Sequence, residues 1–141
     1  MQQTPDFDSF FEAYKSSVRS KQVDRLMDLY DEDVIAYDMW GRWSYVGASP
    51  WREMNQEWLS SLGSETVVVE FDEISTVHGA EVAAAYATVT YKAVSEAGET
   101  LRSMQNRLTW VVKHRNGGWK IVHQHTSVPI DPDKFSPILR R

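Results

Sequence analysis

An Asn-Gly dipeptide at positions 116 and 117 separates two runs of alternating side chains, and that pattern commits the C-terminal third of the chain to antiparallel sheet. Asn-Gly takes up the positive backbone angles of a tight turn readily, so Arg107 to His114 and Trp119 to Ser127 read as the two arms of a hairpin. Successive side chains on a strand point to opposite faces. On that rule Arg107, Thr109 and Val111 share one face, and Trp119, Ile121, His123, His125 and Ser127 share one face of the partner. The hairpin would bring two imidazoles, a guanidinium and two hydroxyls into one space, which is too polar for a dry core.

Upstream of the hairpin, Thr66 to Val77 and Val82 to Val94 are further β-type runs, broken at His78-Gly79 and Glu96-Ala97-Gly98, and the run that forms the first arm of the hairpin begins at Leu101. Together the four runs predict an antiparallel meander whose apolar face needs a cover. The first half of the chain supplies one. Thr4-Pro5 reads as a cap followed by proline at the first helical position, and Phe7, Phe10, Phe11, Tyr14 and Val18 recur at helical spacing to about Ser20. Val23, Leu26, Met27 and Tyr30 repeat the spacing in a second helix. Val34 to Trp40 reads as a strand that turns at Gly41-Arg42 and returns over Trp43 to Val46. Ser49-Pro50 signals a third helix, with Trp51, Met54, Trp58 and Leu62 on one side and a stop near Gly63. The class is α+β: three N-terminal helices packed on a strongly curved antiparallel sheet. One domain over residues 1–141 is expected, with a core of about 7–129 and a tail over 130–141 that has no period and is expected to be loose or packed on a neighbour.

Composition excludes several functions. The chain of 141 residues has no cysteine, which removes disulfides, zinc-thiolate sites and thiol nucleophiles. A net charge of -5 with scattered basic residues argues against nucleic acid as a partner. No segment approaches the ~18 apolar residues of a membrane span, and the acidic, polar start carries no secretion signal, so a soluble, cytoplasmic protein is expected. Phosphate-binding glycine loops, G-x-S-x-G and H-E-x-x-H are missing from the sequence, so no cofactor or metal is expected. Six Trp and six Tyr exceed what a small core needs and suit a ligand pocket or a subunit face.

The order helix, helix, short hairpin, capped helix and curved four-stranded sheet, ending in G-G-W-K-I-V-H-Q-H-T-S-V-P, resembles the nuclear transport factor 2-like superfamily. V-G-A-S-P-W-R-E-M before the third helix and the R-L-T-W segment carry the likeness towards its SnoaL-like and ketosteroid isomerase-like branches. The resemblance implies a cone-shaped fold of cystatin-like topology with a site inside the cone. It also implies activities of the isomerase, cyclase or dehydratase type on a small apolar carbonyl compound, alongside members that only bind or assemble. Laid on the isomerase pattern without a gap from the first helix to the first strand, the oxyanion-hole tyrosine falls on Tyr14 and the proton-abstracting aspartate on Asp38. That pattern has a second, protonated acid in the strand corresponding to Arg107 to Val112. This chain has no Asp or Glu between Glu99 and Asp131, so half of that oxyanion hole is replaced or missing.

Each candidate has two readings. A carboxylate in an apolar strand is costly to bury, so Asp38 is either a base or the partner of Arg107 or Arg42. Arg107 and Thr109 sit where SnoaL-like relatives show an Arg and a Thr facing the cone; the guanidinium would bind an anionic ligand bidentately, or it neutralises Asp38. Tyr14 is an oxyanion donor or plain core. His125 is a general acid or base that could stand in for the missing acid, and His123 lines the cone; otherwise both are hydrogen-bonded wall residues. A metal shared by His123 and His125 would lack a third ligand. Trp40 and Trp58 are expected to wall the substrate. The partners expected are a small molecule in the cone and a second copy of the chain through the sheet, on an outer face that includes Trp110 and Tyr86 or Tyr91.

Overall fold

The computed structural model describes residues 4–141. Its first helix, α1 (Phe7–Arg19), is capped by Asp6, whose carboxylate accepts a hydrogen bond from the Ser9 amide at 3.2 Å. The cap therefore falls two residues later than Thr4-Pro5 suggests, because a carboxylate at Asp6 satisfies an otherwise orphaned amide and adds charge at the positive end of the helix. Phe7, Phe10, Phe11, Tyr14 and Val18 form the buried face, as their spacing predicts. The second helix, α2 (Val23–Met27), is shorter than its pattern. Tyr30 belongs instead to the first strand, β1 (Tyr30–Tyr37), which ends one residue before Asp38. A two-residue β2 (Tyr45–Val46) pairs antiparallel with it. The third helix, α3 (Ala48–Ser60), starts ahead of Ser49-Pro50, with Gly47 at φ +91° as its cap. The Gly47 amide donates to the Val34 carbonyl at 2.7 Å, so the sheet pairing runs straight into the helix through a backbone angle that glycine adopts without strain.

The remaining strands are β3 (Thr66–His78), β4 (Val82–Val94), β5 (Thr100–Arg115) and β6 (Gly118–Ser127). Each lies within a residue or two of its sequence pattern. Arg115 pairs with Gly118 across Asn116-Gly117, and the positive φ of the turn falls on Gly118, at 108°. The sheet order is β2-β1-β6-β5-β4-β3, with β1 running parallel to β6. The predicted meander is present, and the early strand β1 extends it on the β6 side.

One irregularity decides what the sheet presents to the helices. Arg107 to Val111 pair in step with Ser127 to His123, but Val112 then meets Ile121, so Val122 is an extra residue on β6. This β-bulge lets Ile121 and Gln124, three positions apart, both be buried on the inner face.

The tail corrects an expectation. It forms a small hairpin, β7 (Ile130–Asp131) with β8 (Ser136–Pro137), and then returns along β5. The Gln105 amide donates to the Leu139 carbonyl at 2.7 Å, and the Arg140 guanidinium donates to the Ser103 carbonyl at 2.6 Å. Since β6 ends opposite Arg107, these backbone groups of β5 would otherwise lack partners.

Helices and sheet meet on Trp110, which is fully buried. Its ring stacks on Phe11 with centroids 5.3 Å apart and takes the edge of Tyr14 at 5.7 Å, while its indole N–H donates to Gln124 Oε1 at 2.8 Å. Trp110 and Tyr91, expected on an outer face, point inward; of that group only Tyr86 is exposed. Truncating Trp110 to alanine removes the ring on which α1 rests and one of the two donors to Gln124 Oε1. We expect a loss of about 3–5 kcal/mol in denaturant unfolding.

Candidate active site

A cavity of about 800 Å³ opens between α1, α3 and the concave face of the sheet. Its volume lies within the range of ~300–1,000 Å³ that small-molecule sites occupy. The helical spacing that identified α3 aims Trp51, Met54, Trp58 and Leu62 into it, and Val67 joins them from β3. Into this apolar wall project Asp38, Tyr14, Tyr91, Asn106 and Gln124. Trp40, 55% exposed, stands on the solvent side of the lining with Arg102 and Arg140. Another depression, of about 710 Å³ beside α2, is lined by surface charges such as Lys21, Arg25 and the Arg52–Asp24 ion pair, and no buried polar group faces it.

Asp38 is half-buried at the end of β1. The Thr126 hydroxyl donates to its Oδ1 at 3.2 Å, and the Trp40 amide donates to Oδ2 at 3.3 Å. Thr126 Oγ1 in turn accepts from the Met39 amide at 3.1 Å, which orients the hydroxyl. Among the described residues no arginine or lysine forms an ion pair with Asp38. Arg42 lies instead over the ring of Tyr45, 5.3 Å from its centroid, and Arg107 donates to Ser127 Oγ at 3.2 Å. Burial therefore dominates and raises the Asp38 pKa; the Trp40, Thr126 and Met39 donors only partly oppose it.

Tyr14 and Tyr91 face each other with their hydroxyl oxygens 3.0 Å apart. A contact between two hydroxyls consumes one proton, which leaves the other O–H free to donate into the cavity. Burial pushes the Tyr91 phenol up to about 12 and holds Tyr14 well above its ordinary value, so both stay protonated donors. Behind them, Gln124 Oε1 accepts from both Tyr30 and Trp110.

The polar group read from the C-terminal hairpin does come together, but on the other face of the sheet. Arg107 is opposite Ser127, Thr109 opposite His125 and Val111 opposite His123. Because Asn106, Leu108 and Trp110 are buried inside, Arg107 and Thr109 point outward; because Gln124 and Thr126 are buried, so do His123 and His125. His123 Nδ1 lies 2.6 Å from the Ile35 carbonyl oxygen, and Tyr37 packs edge-on against both imidazoles. The expectation that Arg107, Thr109, His123 and His125 line the cone is thus corrected. Trp119 and Ile121 suggested an inner face for the whole strand, and the extra Val122 reverses it from His123 onward. Of the residues singled out in the sequence, Asp38, Tyr14, Trp40 and Trp58 meet at the cavity.

Sequence reasoning missed Tyr91, Asn106, Gln124 and Thr126. All four alternate with residues that were chosen or sit on the same strands, so the signal was present and the register was not. Among the described residues, no group of three or more His, Asp or Glu side chains could hold a metal ion, and no helix is long and apolar enough to cross a membrane.

A curled six-stranded sheet wrapped on three helices defines the nuclear transport factor 2-like, cystatin-like class. Within that class the chain belongs to the SnoaL-like domain family, whose model matches residues 8–131. No curated protein matches the sequence. Its fold is similar to that of a nuclear transport factor 2-like protein of unknown function from Pseudomonas putida, at 17% identity and TM-score 0.83, over 95% of this chain and 92% of the other. A nuclear transport factor 2-like superfamily protein from Salmonella enterica aligns at 19% identity and TM-score 0.72, over 90% and 91% of the two chains. Aln2 from a Streptomyces species aligns at 8% identity and TM-score 0.77, over 86% and 87%.

The raised pKa of Asp38 has a consequence for stability. Between its unfolded and folded pKa values the folded protein keeps a proton that the unfolded chain has released, so stability falls as pH rises through that window. Replacing Asp38 by asparagine should therefore raise the melting temperature at neutral pH. The gain should vanish at about pH 3, below the ordinary aspartate value, where the wild-type carboxyl is neutral in both states. Thermal melts of the two proteins at both pH values provide the check.

Proposed function

We propose that this protein is an acid–base enzyme that moves a proton next to the carbonyl of a small, largely apolar compound. The observation that carries the reading is Asp38: a half-buried carboxylate with no cationic partner among the described residues, on the wall of a cavity that also holds the Tyr14–Tyr91 pair. A carboxylate raised in pKa by burial is a stronger base than one in water, and the Thr126 and Trp40 donors hold its orientation. In the proposed step the carboxylate takes a proton from the carbon beside the carbonyl. The C–H electron pair moves into the new C=C bond, and the carbonyl π pair moves to oxygen as an enolate. The free O–H of the tyrosine pair donates to that oxygen as its charge grows. Where a C=C lies β,γ to the carbonyl, the enolate is a dienolate: the oxygen pair re-forms the C=O and the γ-carbon takes the proton back from neutral Asp38, which is isomerisation. Where the same molecule carries a second carbonyl, the enolate carbon bonds to that carbon, its C=O π pair moves to oxygen, and the oxygen takes the proton from Asp38, which is cyclisation. Apolar walls of Trp51, Trp58 and Met54 exclude water from the enolate.

Exchange of α-protons of cyclic ketones in deuterated water, followed by NMR, tests the chemistry before any natural substrate is known. With a ketone that exchanges, Asp38→Asn should lose ~10²-fold or more of the rate. Tyr91→Phe and Tyr14→Phe should each lose less, since either hydroxyl can serve. The rate should rise with pH as Asp38 ionises, with a midpoint above the ordinary carboxylate value. Exchange undiminished in Asp38→Asn would overturn the assignment, and tight ketone binding without exchange would leave a ligand-binding module as the better reading.

A second copy of the chain fits the outer face of the sheet, where Ile35, Tyr37 and Tyr86 are exposed beside the two imidazoles. Sedimentation at micromolar concentration should give a dimer, and Tyr86→Lys with Tyr37→Lys should give a monomer. A wild-type monomer under those conditions would count against this interface.

A further inference from the structure

Two segments at one end of the sheet carry aromatic side chains that nothing in the molecule covers. β1 runs parallel to β6, with Tyr37 beside His125, so the stretches of chain that follow the two strands emerge at the same end. Trp43, in the segment 38–44, is 95% exposed, and Phe135, in the β7–β8 hairpin, is 87% exposed. Trp40, Ile130 and Ile138 stand in the same two stretches and are exposed as well. The mouth of the cavity lies at this end, lined by Trp40 and Gly41 from one stretch and by Leu139 and Arg140 from the other.

Local bonds fix both rings in place. The Asp131 carboxylate accepts from the Asp133 and Lys134 amides at 2.9 and 3.1 Å, and the Phe135 amide donates to the Asp131 carbonyl at 2.8 Å. Phe135 is thereby held at φ +57°, a left-handed angle that costs a bulky residue free energy and gains nothing from its ring within the fold. The other segment is tied by the Trp40 amide to Asp38 and by Arg42 to the face of Tyr45. Positive charge accompanies the aromatics. Over 39–46 and 130–141 the basic residues are Arg42, Lys134, Arg140 and Arg141, against Asp131 and Asp133. Arg141 pairs with Glu73, whereas Arg42, Lys134 and Arg140 form no ion pair among the described residues.

We infer that this end of the protein docks on a membrane surface that contains anionic lipid, with Trp43 and Phe135 set among the headgroups and Arg42, Lys134 and Arg140 on the phosphates, so that the cavity opens towards the bilayer. Aromatic rings flanked by arginine and lysine suit that boundary, because the ring takes the apolar side and the cation the charged one. Docking of this kind needs no segment that crosses the membrane. A protein held on the same end would cover the mouth of the cavity, whereas a bilayer is itself a reservoir of apolar compounds. The inference draws on the proposed reading only in taking the cavity's ligand as largely apolar, and it does not depend on the chemistry of Asp38.

The test is co-sedimentation with vesicles of phosphatidylcholine alone and of phosphatidylcholine with phosphatidylglycerol, with tryptophan emission read in parallel. The wild type should pellet with the phosphatidylglycerol vesicles and its emission should shift to the blue; phosphatidylcholine alone, or high salt, should weaken the binding. Trp43→Ser and Phe135→Ser should each weaken it about tenfold, and Arg42→Ser should weaken it on the anionic vesicles only. Phe135→Gly should lose as much binding while its melting temperature holds or rises, since glycine adopts the left-handed angle freely, and that separates docking from folding. Asp38→Asn should bind vesicles as the wild type does, so failure of the proton-transfer reading leaves this result untouched. The inference is overturned if the wild type binds neither vesicle, or if binding survives Trp43→Ser combined with Phe135→Ser. Self-association without vesicles that the same double substitution abolishes would make a second copy the occupant, and would overturn the lipid assignment.

Discussion

The indole of Trp110 joins the two layers of this protein. On one side it carries the aromatic face of α1, through the stack with Phe11 and the edge contact with Tyr14. On the other its N–H is tied to Gln124, which also receives the Tyr30 hydroxyl. Dispersion and burial supply most of the stabilisation here, and the hydrogen bonds decide orientation, because a buried indole or phenol without a partner would be penalised. A floor for the cavity follows from this arrangement. Tyr14 cannot move without disturbing Trp110, so the hydroxyl pair it forms with Tyr91 is held on a rigid support.

Placing the site at the end of β1 resolves the conflict that a carboxylate poses inside an apolar protein. Two residues earlier, at the fully buried position of Ala36, a carboxylate would need a cation to offset its burial. One turn later, it would be solvated and weakly basic. At its actual place two donors, Thr126 and the Trp40 amide, stabilise the charge without neutralising it, and the aromatic wall keeps most water away. Proteins accept some loss of stability at such positions where chemistry or binding requires an unpaired charge.

The returning tail gives the cavity part of its solvent-side lining. Leu139 and Arg140 reach it because β5 continues past the end of β6, and free backbone groups on a sheet attract whatever chain can pair with them. No periodicity announces this in the sequence. The segment is short, proline-containing and held by backbone bonds and one ion pair, Arg141 with Glu73, so its place depends on a strand far away in the chain.

Local rules made much of the molecule legible. Helical spacing of Phe7, Phe10, Phe11 and Tyr14, the run of long strands and the Asn116-Gly117 turn are short-range signals, and each appears in the structure close to where it was read. Asp38 could be singled out because a charge among apolar neighbours is visible in one dimension. What one dimension could not reveal is which face of β6 the helices cover. Residues 119 and 121 suggested an inner face that His123 and His125 would share, and a single extra residue, Val122, reverses that assignment. Such a bulge arises from how β6 fits β5 on one side and β1 on the other, an energy that belongs to no local window. The amino-acid sequence by itself determined the elements, their order and the α+β class, since these follow from nearest-neighbour preferences. Only the tertiary structure decided that Tyr91, Asn106 and Gln124 face the cavity while the histidines face out, because that choice is made by the packing of three strands at once.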